Sequence, residues 1–209
     1  MKAFLIIGRT IKAAYEELFL CVFMSIAWWI GTLTVVLAAP VTVAMHRVCN
    51  RAANYQRVNH DFYWEAIRQN FGRGWLVYLL HLLLPALIAF QIWFYFNGTD
   101  TWMNVVGVAW VWILMLILLM MQYMMPLFWQ QDDPSMKLIL RNSFLLALRN
   151  PLYTFIILLF QGLFLALSAL LILPLLLLTP AVLAMTVNFA LTGLLQEMDL
   201  APEPPHIPS

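Results

Sequence analysis

Three long stretches of this chain, 13–46, 74–136 and 150–209, are overwhelmingly apolar and contain no Lys or Arg. All eleven basic residues fall between them in three clusters: Lys2, Arg9, Lys12; then Arg47, Arg51, Arg57, Arg68, Arg73; then Lys137, Arg141, Arg149. A membrane-crossing helix needs roughly 20 apolar residues at about 1.5 Å per residue. Pro151–Gln196 has no charged residue in 46 positions and as one straight helix would measure about 69 Å. It must therefore turn, and Pro174 and Pro180 are the breakers. The pattern predicts spans over about 152–173 and 180–197, with Thr179 as cap and Pro180 in the first turn of the second.

The middle stretch divides likewise into Trp75–Phe96 and Met103–Trp129, joined by Asn97-Gly98-Thr99-Asp100-Thr101. Trp93, Tyr95 and Trp102 flank that loop as aromatic interface anchors. The first stretch is tighter. Leu18–Met45 is uncharged for 28 residues, long for one crossing and short for two. Placing the first and second basic clusters on one side requires two crossings with a turn near Gly31–Pro40. The second helix, from Pro40 to about Arg57, then carries His46, Arg47, Asn50 and Arg51. An Arg at mid-membrane costs at least about 3 kcal/mol, so this helix must face protein or water, or cross only in part. The alternative is a single tilted span with the N-terminus outside.

An amphipathic segment precedes each pair of spans. Phe4, Ile7, Ile11 and Leu18 oppose Arg9, Lys12 and Glu16; Phe62, Tyr63, Ala66 and Ile67 alternate with Asp61, Glu65, Arg68 and Gln69; the third opens with Asp133-Pro134 and sets Lys137 and Arg141 one turn apart. Lys12, Arg68, Arg73, Lys137, Arg141 and Arg149 are the expected contacts to lipid headgroups. The expected fold is all-α: a polytopic helical membrane protein of about six spans, in three units of elbow helix plus helical hairpin. Residues 1–200 form one integral membrane domain, and 201–209 a Pro-rich disordered tail. Leu37–Met45 echoes Leu177–Met185 in the placing of Leu, Pro, Ala and Met.

Composition agrees with this class. The chain is 64% hydrophobic and 10% charged, far from the roughly 25% charged of soluble domains. Lys and Arg near spans resist translocation, which places the basic clusters and both termini in the cytoplasm. Cys21 and Cys49 read as small buried hydrophobes.

The stretch Leu37–Leu83 resembles the YesL-like bacterial membrane family, known as domain of unknown function 624. The resemblance rests on the small-residue turn Ala38-Ala39-Pro40-Val41-Thr42-Val43-Ala44, a basic helix, and the aromatic–basic elbow Asp61–Phe71 running into a span at Trp75. The chain departs from it in the polar His46-Arg47 pair. The resemblance implies a multi-span protein of the bacterial cytoplasmic (inner) membrane without an established activity; its members are associated with carbohydrate uptake systems, which makes a sugar transporter the expected kind of partner.

All ten acidic residues lie at ends, elbows, the outer loop or the tail, outside every expected span. That weighs against a carboxylate proton relay. No His-Glu-x-x-His, Gly-rich phosphate loop or paired catalytic carboxylates occur, and Ser25, Ser168 and the histidines have no supporting motif. The expectation is a non-enzymatic accessory or assembly protein with no metal, cofactor or nucleic-acid partner, embedded in lipid, with a homo-oligomer left open. The alternative is a small-solute transporter or channel. For that, His46 and Asn50 share one helix face and Arg47 and Arg51 the adjacent one. Together with His81 they would line a site for an anionic or sugar-like ligand. On the plainer reading, which we prefer for the sequence alone, the helix emerges early, so that its basic residues meet lipid phosphates or Glu16 and Glu17, and His81 is a structural hydrogen bonder. Gln91, Gln122, Gln161 and Asn188 are expected to bond between helices, and Met115, Met120, Met121, Met124 and Met125 to pack against helices or lipid.

Overall fold

In a computed structural model, residues 2–131 and 135–203 are described, with the side chain of Arg73 outside the description. The Asp133-Pro134 start, the Arg73 headgroup contact and the tail beyond residue 203 thus lie outside the described residues. Every regular element among them is helical: α1 (Lys2–Glu16), α2 (Leu18–Leu33), α3 (Ala38–Ala53), α4 (His60–Gln69), α5 (Phe71–Phe96), α6 (Thr101–Gln130), α7 (Met136–Arg149), α8 (Pro151–Leu171), α9 (Leu173–Leu177) and α10 (Thr179–Gln196). The protein is a polytopic helical membrane protein, in which an elbow helix (α1, α4, α7) is followed each time by two helices that fold back on each other.

Four helices are long and apolar enough to cross a membrane: Gly74–Phe96 of α5, α6, α8 and α10. α1 and α2 reach that length only together, and the pair is bent by 89°, so the candidates number four to five. At sixteen residues each, α2 and α3 rise about 24 Å, short of a hydrocarbon core of about 30 Å. The squeeze visible in the sequence is therefore real. The turn between them is confined to Thr34–Leu37, because Gly31 stays in α2 and Pro40 sits in the first turn of α3. Val35 holds this turn at φ 57°, the left-handed region that β-branched residues rarely enter. Gly31 lets the two helices close: a Cβ there would lie 2.6 Å from Val41 Cγ1.

The interior is formed by α3 and α10. Twelve of the sixteen residues of α3 are buried, and fourteen of the eighteen in α10. These are the two helices that begin with the echoed Pro40 and Pro180 segments, and they pack against each other. α3 is thus shielded by protein, which is how its polar residues are tolerated. Pro180 lies in the first turn of α10 as expected, but Thr179 caps nothing; its hydroxyl donates to the Pro174 carbonyl at 3.1 Å.

α1 keeps the orientation expected of an interfacial helix at Phe4 and Ile11, while Ile7 is half-buried. Its buried face is Ala3, Ile6, Thr10 and Ala14, while Phe4 and Ile11 are exposed. Gly193 of α10 makes room for Ile6: a Cβ on it would sit 2.7 Å from Ile6 Cδ1. The bulky apolar stripe is left to face outward, as on a helix lying in a membrane interface.

The basic clusters assemble at one end of the bundle. Lys2 pairs with Glu197 at 2.8 Å, and Arg9 donates to Gln196 at 3.4 Å, which joins α1 to the C-terminal end of α10. Arg149 lies 3.1 Å from Met198 Sδ. The C-terminal ends of α3 and α6 meet through Asn50 and Gln130, and α4 packs on α3. Loop 97–100, with Trp93, Tyr95 and Trp102, caps the opposite end of the α5–α6 hairpin.

Candidate functional site

Polar side chains gather at several places in this bundle, and two of them hold the residues singled out from the sequence. The first is a cavity of about 470 Å³ between the three hairpins, within the usual size of small-molecule sites. α2 and α3 contribute Trp28, Trp29, Thr42, Met45 and His46; α5 and α6 contribute Tyr78, His81, Met121, Gln122 and Met125; α8 and α10 contribute Gln161, Thr179 and Ala184. Among the described residues, no Lys, Arg, Asp or Glu lines it. Met45, His46, Met121, Gln122, Met125 and Ala184 are buried, as are Thr179 and Pro180 at the start of α10, whereas Leu118 and Leu165, which also line the cavity, are exposed.

The orientation of His46 is fixed by α10. Asn188 Nδ2 lies 2.8 Å from the Ala184 carbonyl, which only the amide nitrogen can approach as a donor. Its other hydrogen is directed at His46 Nδ1, 3.0 Å away. His46 Nδ1 therefore accepts, and in the neutral ring the proton sits on Nε2.

Several other polar groups of the lining are satisfied within the protein. Trp28 Nε1 donates to Thr42 Oγ1 at 2.9 Å, and Thr42 to the Ala38 carbonyl at 2.7 Å. Gln161 Nε2 donates to Gln122 Oε1 at 3.2 Å, and Gln122 Nε2 to the Thr154 carbonyl at 3.2 Å. Trp29 Nε1 and His81 Nδ1 differ: each is buried with no hydrogen-bond partner among the described residues. A buried polar group without a partner costs about 1–3 kcal/mol.

The second place is the junction of α3, α4 and α6 at the basic end. The Arg47 guanidinium lies 4.7 Å from the Trp129 ring centre, and that of Arg51 3.8 Å from the Phe62 ring centre. Arg51 Nε also donates to the Arg57 carbonyl at 3.1 Å. Trp129 Nε1 donates to the Val43 carbonyl at 2.8 Å, holding the ring under Arg47. Asn50 and Asn54 both donate to Gln130 Oε1, at 2.9 and 3.0 Å.

The five residues proposed from the sequence thus separate. His46 and His81 come together on the cavity; Arg47, Asn50 and Arg51 do not reach it. The i,i+4 spacing along α3 did group them by face, but the faces meet different neighbours. Nor do Arg47 and Arg51 form ion pairs with Glu16 or Glu17 among the described residues: Glu16 is 3.8 Å from Lys12, and each guanidinium stacks on an aromatic ring instead. Lys12, Arg68, Lys137, Arg141 and Arg149 are exposed, and so stand where they can meet headgroups. Gln122, Gln161 and Asn188 bond between helices as expected; Gln91 forms no side-chain hydrogen bond among the described residues. Met121 and Met125 line the cavity, while Met124 is buried beside them.

Trp28, Trp29, Tyr78 and Thr42 were not singled out from the sequence. An adjacent Trp pair in a span, away from the aromatic belt, was the available signal. Cys21 and Cys49 are buried and free. Among the described residues, no three His, Cys, Asp or Glu side chains form a metal-binding group. No family model matches the chain, and neither does any curated protein or any solved structure.

Proposed function

We propose that this protein binds a small uncharged molecule in the cavity between its three hairpins, and acts as a membrane carrier for it. One observation carries the reading: all three hairpins direct polar side chains at one cavity of small-molecule size whose described lining holds no charged residue. The reading keeps His46 and His81 as site residues and assigns Arg47, Asn50 and Arg51 to the interface beneath. It takes the basic end as cytoplasmic, by the retention of Lys and Arg on that side, in a bacterial inner membrane. It counts six passes, of which the α2–α3 pair crosses a locally thin region. No chemical step is assigned.

The experiment is ligand binding by the purified protein in nanodiscs, read as a rise in melting temperature across a panel of uncharged small molecules. A ligand at 100 times its Kd stabilises by about 2.7 kcal/mol. Leu158→Trp and Ala184→Phe, which fill the cavity from α8 and α10, should each remove the rise. If no compound raises the melting temperature, or if the rise survives both variants, the reading fails.

A second reading is favoured by the far half of the α5–α6 hairpin. There Leu87, Phe90, Val105 and Trp112 are all exposed, a surface that suits lipid or another membrane protein. The YesL-like resemblance gives this reading its partner, a carbohydrate-uptake transporter. Mild-detergent purification that recovers no such transporter above background would count against it.

A further inference from the structure

Resting on the cavity as a binding site, we infer that it opens sideways into the bilayer between α6 and α8, and that its ligand is an uncharged, lipid-soluble molecule entering from the hydrocarbon. The Gln122–Gln161 hydrogen bond sets the relative level of the two helices. α6 runs toward the basic end and α8 away from it. One turn farther from that end, four residues from each Gln and on the same two faces, stand Leu118 of α6 and Leu165 of α8. Helices that stayed packed would bury this pair against each other. Instead both line the cavity and are 36% and 45% exposed. On the basic side of the Gln pair, by contrast, α6 is buried from Tyr123 to Phe128. α6 and α8 thus part just beyond the Gln pair.

Depth decides what reaches this gap. Leu118 stands twelve residues before the end of α6, and Leu165 fourteen after the start of α8, about 18 and 21 Å from the basic end. Both levels fall inside a hydrocarbon core of about 30 Å, so the gap faces lipid chains and not water. Toward the ends of the bundle the lining is buried, at His46 and Met125 on the basic side and at Thr179 and Pro180 on the other. An ion or a polyol reaching the gap would first have to dissolve in hydrocarbon, where its charge or its hydroxyl groups find no partners. A long-chain alcohol dissolves there readily. The lining both donates and accepts, through groups such as Gln161 and the Tyr78 hydroxyl. It therefore receives a single polar group of either kind on an apolar body.

The test uses the full chain in nanodiscs with two diazirine photoprobes, one a dodecanol and one a glucose, flashed soon after mixing and read by mass spectrometry. The dodecanol probe should modify Met45 and Met121, excess dodecan-1-ol should compete it away, and the glucose probe should leave both residues unmodified. In Leu118→Cys/Leu165→Cys, a bis-methanethiosulfonate bridge closes the gap. Modification of Met45 and Met121 should then be lost, while that of exposed Leu87 and Phe90 on α5 continues. Reducing the bridge should restore it. Leu165→Trp, which narrows the gap from one side, should slow the modification without any bridge. Modification of the lining by the glucose probe as strong as by dodecanol overturns the ligand class and leaves the cavity reading intact. Entry indifferent to both the bridge and Leu165→Trp does the same for the sideways opening. If neither probe modifies the lining, the inference and the cavity reading both fall.

Discussion

His46 on α3 and Asn188 on α10 hold each other inside the bundle, 3.0 Å apart and both buried. The pair ties the first hairpin to the third at the cavity wall. Asn188→Leu leaves the ring nitrogen without its donor and should destabilise the protein by about 1–2 kcal/mol. The double variant Asn188→Leu/His46→Leu removes both polar groups and should recover part of that loss. Thermal melts of the four proteins of this cycle give the coupling, and additive losses would show that the pair contributes nothing as a pair.

Gly31 sets the spacing of α2 and α3. Gly31→Ala places a methyl group on Val41 and should cost about 1–3 kcal/mol. Val41→Ala opens that space, so Gly31→Ala should be nearly neutral in the Val41→Ala background. Melting temperatures measure both.

Val35 and Ile172, at φ 57° and 54°, are β-branched residues in left-handed backbone at the turns of the first and third hairpins. Such conformations cost on the order of 1–3 kcal/mol. Val35→Gly should therefore raise stability by about 1 kcal/mol, with Val36→Gly as the control that does not. A lowered melting temperature for Val35→Gly would mean that its side chain contributes more than its backbone costs.

The sidedness follows from three exposed positions. Leu5→Cys and Tyr55→Cys belong to the basic end and Val35→Cys to the turn at the other end. A membrane-impermeant maleimide added to intact cells should label only Val35→Cys, and added to inverted vesicles only the other two. Buried Cys21 and Cys49 give a low background. Labelling of Leu5→Cys from outside would reverse the proposed orientation.

The layout was legible because it rests on one-dimensional quantities. Span lengths, the breakers at Pro174 and Pro180, and the spacing of basic residues fixed the elbows and hairpins to within a few positions. The tight fit of residues 18–57 was also readable by counting. What counting cannot supply is the neighbour of each helix face. Arg47 and His46 are adjacent in sequence, yet one stacks on Trp129 of α6 and the other meets Asn188, 142 residues away. α1 illustrates the same limit: the face it buries is Ala3, Ile6, Thr10 and Ala14, which no stripe in its sequence marks out. The unpartnered Trp29 nitrogen has no sequence signature at all, since it depends on which neighbours close over it.

Helix length varies widely within this one bundle. α6 has thirty residues, or about 45 Å, while α2 and α3 have sixteen each, or about 24 Å. With α2 and α3 crossing as proposed, no flat bilayer matches both. Lipid would then stand thick around α5 and α6 and dip beside the α2–α3 turn, at modest cost per ångström of mismatch. The protein would act on its surroundings as a wedge. A dimple on one flank shortens the distance between leaflets and draws short-tailed lipids to that side.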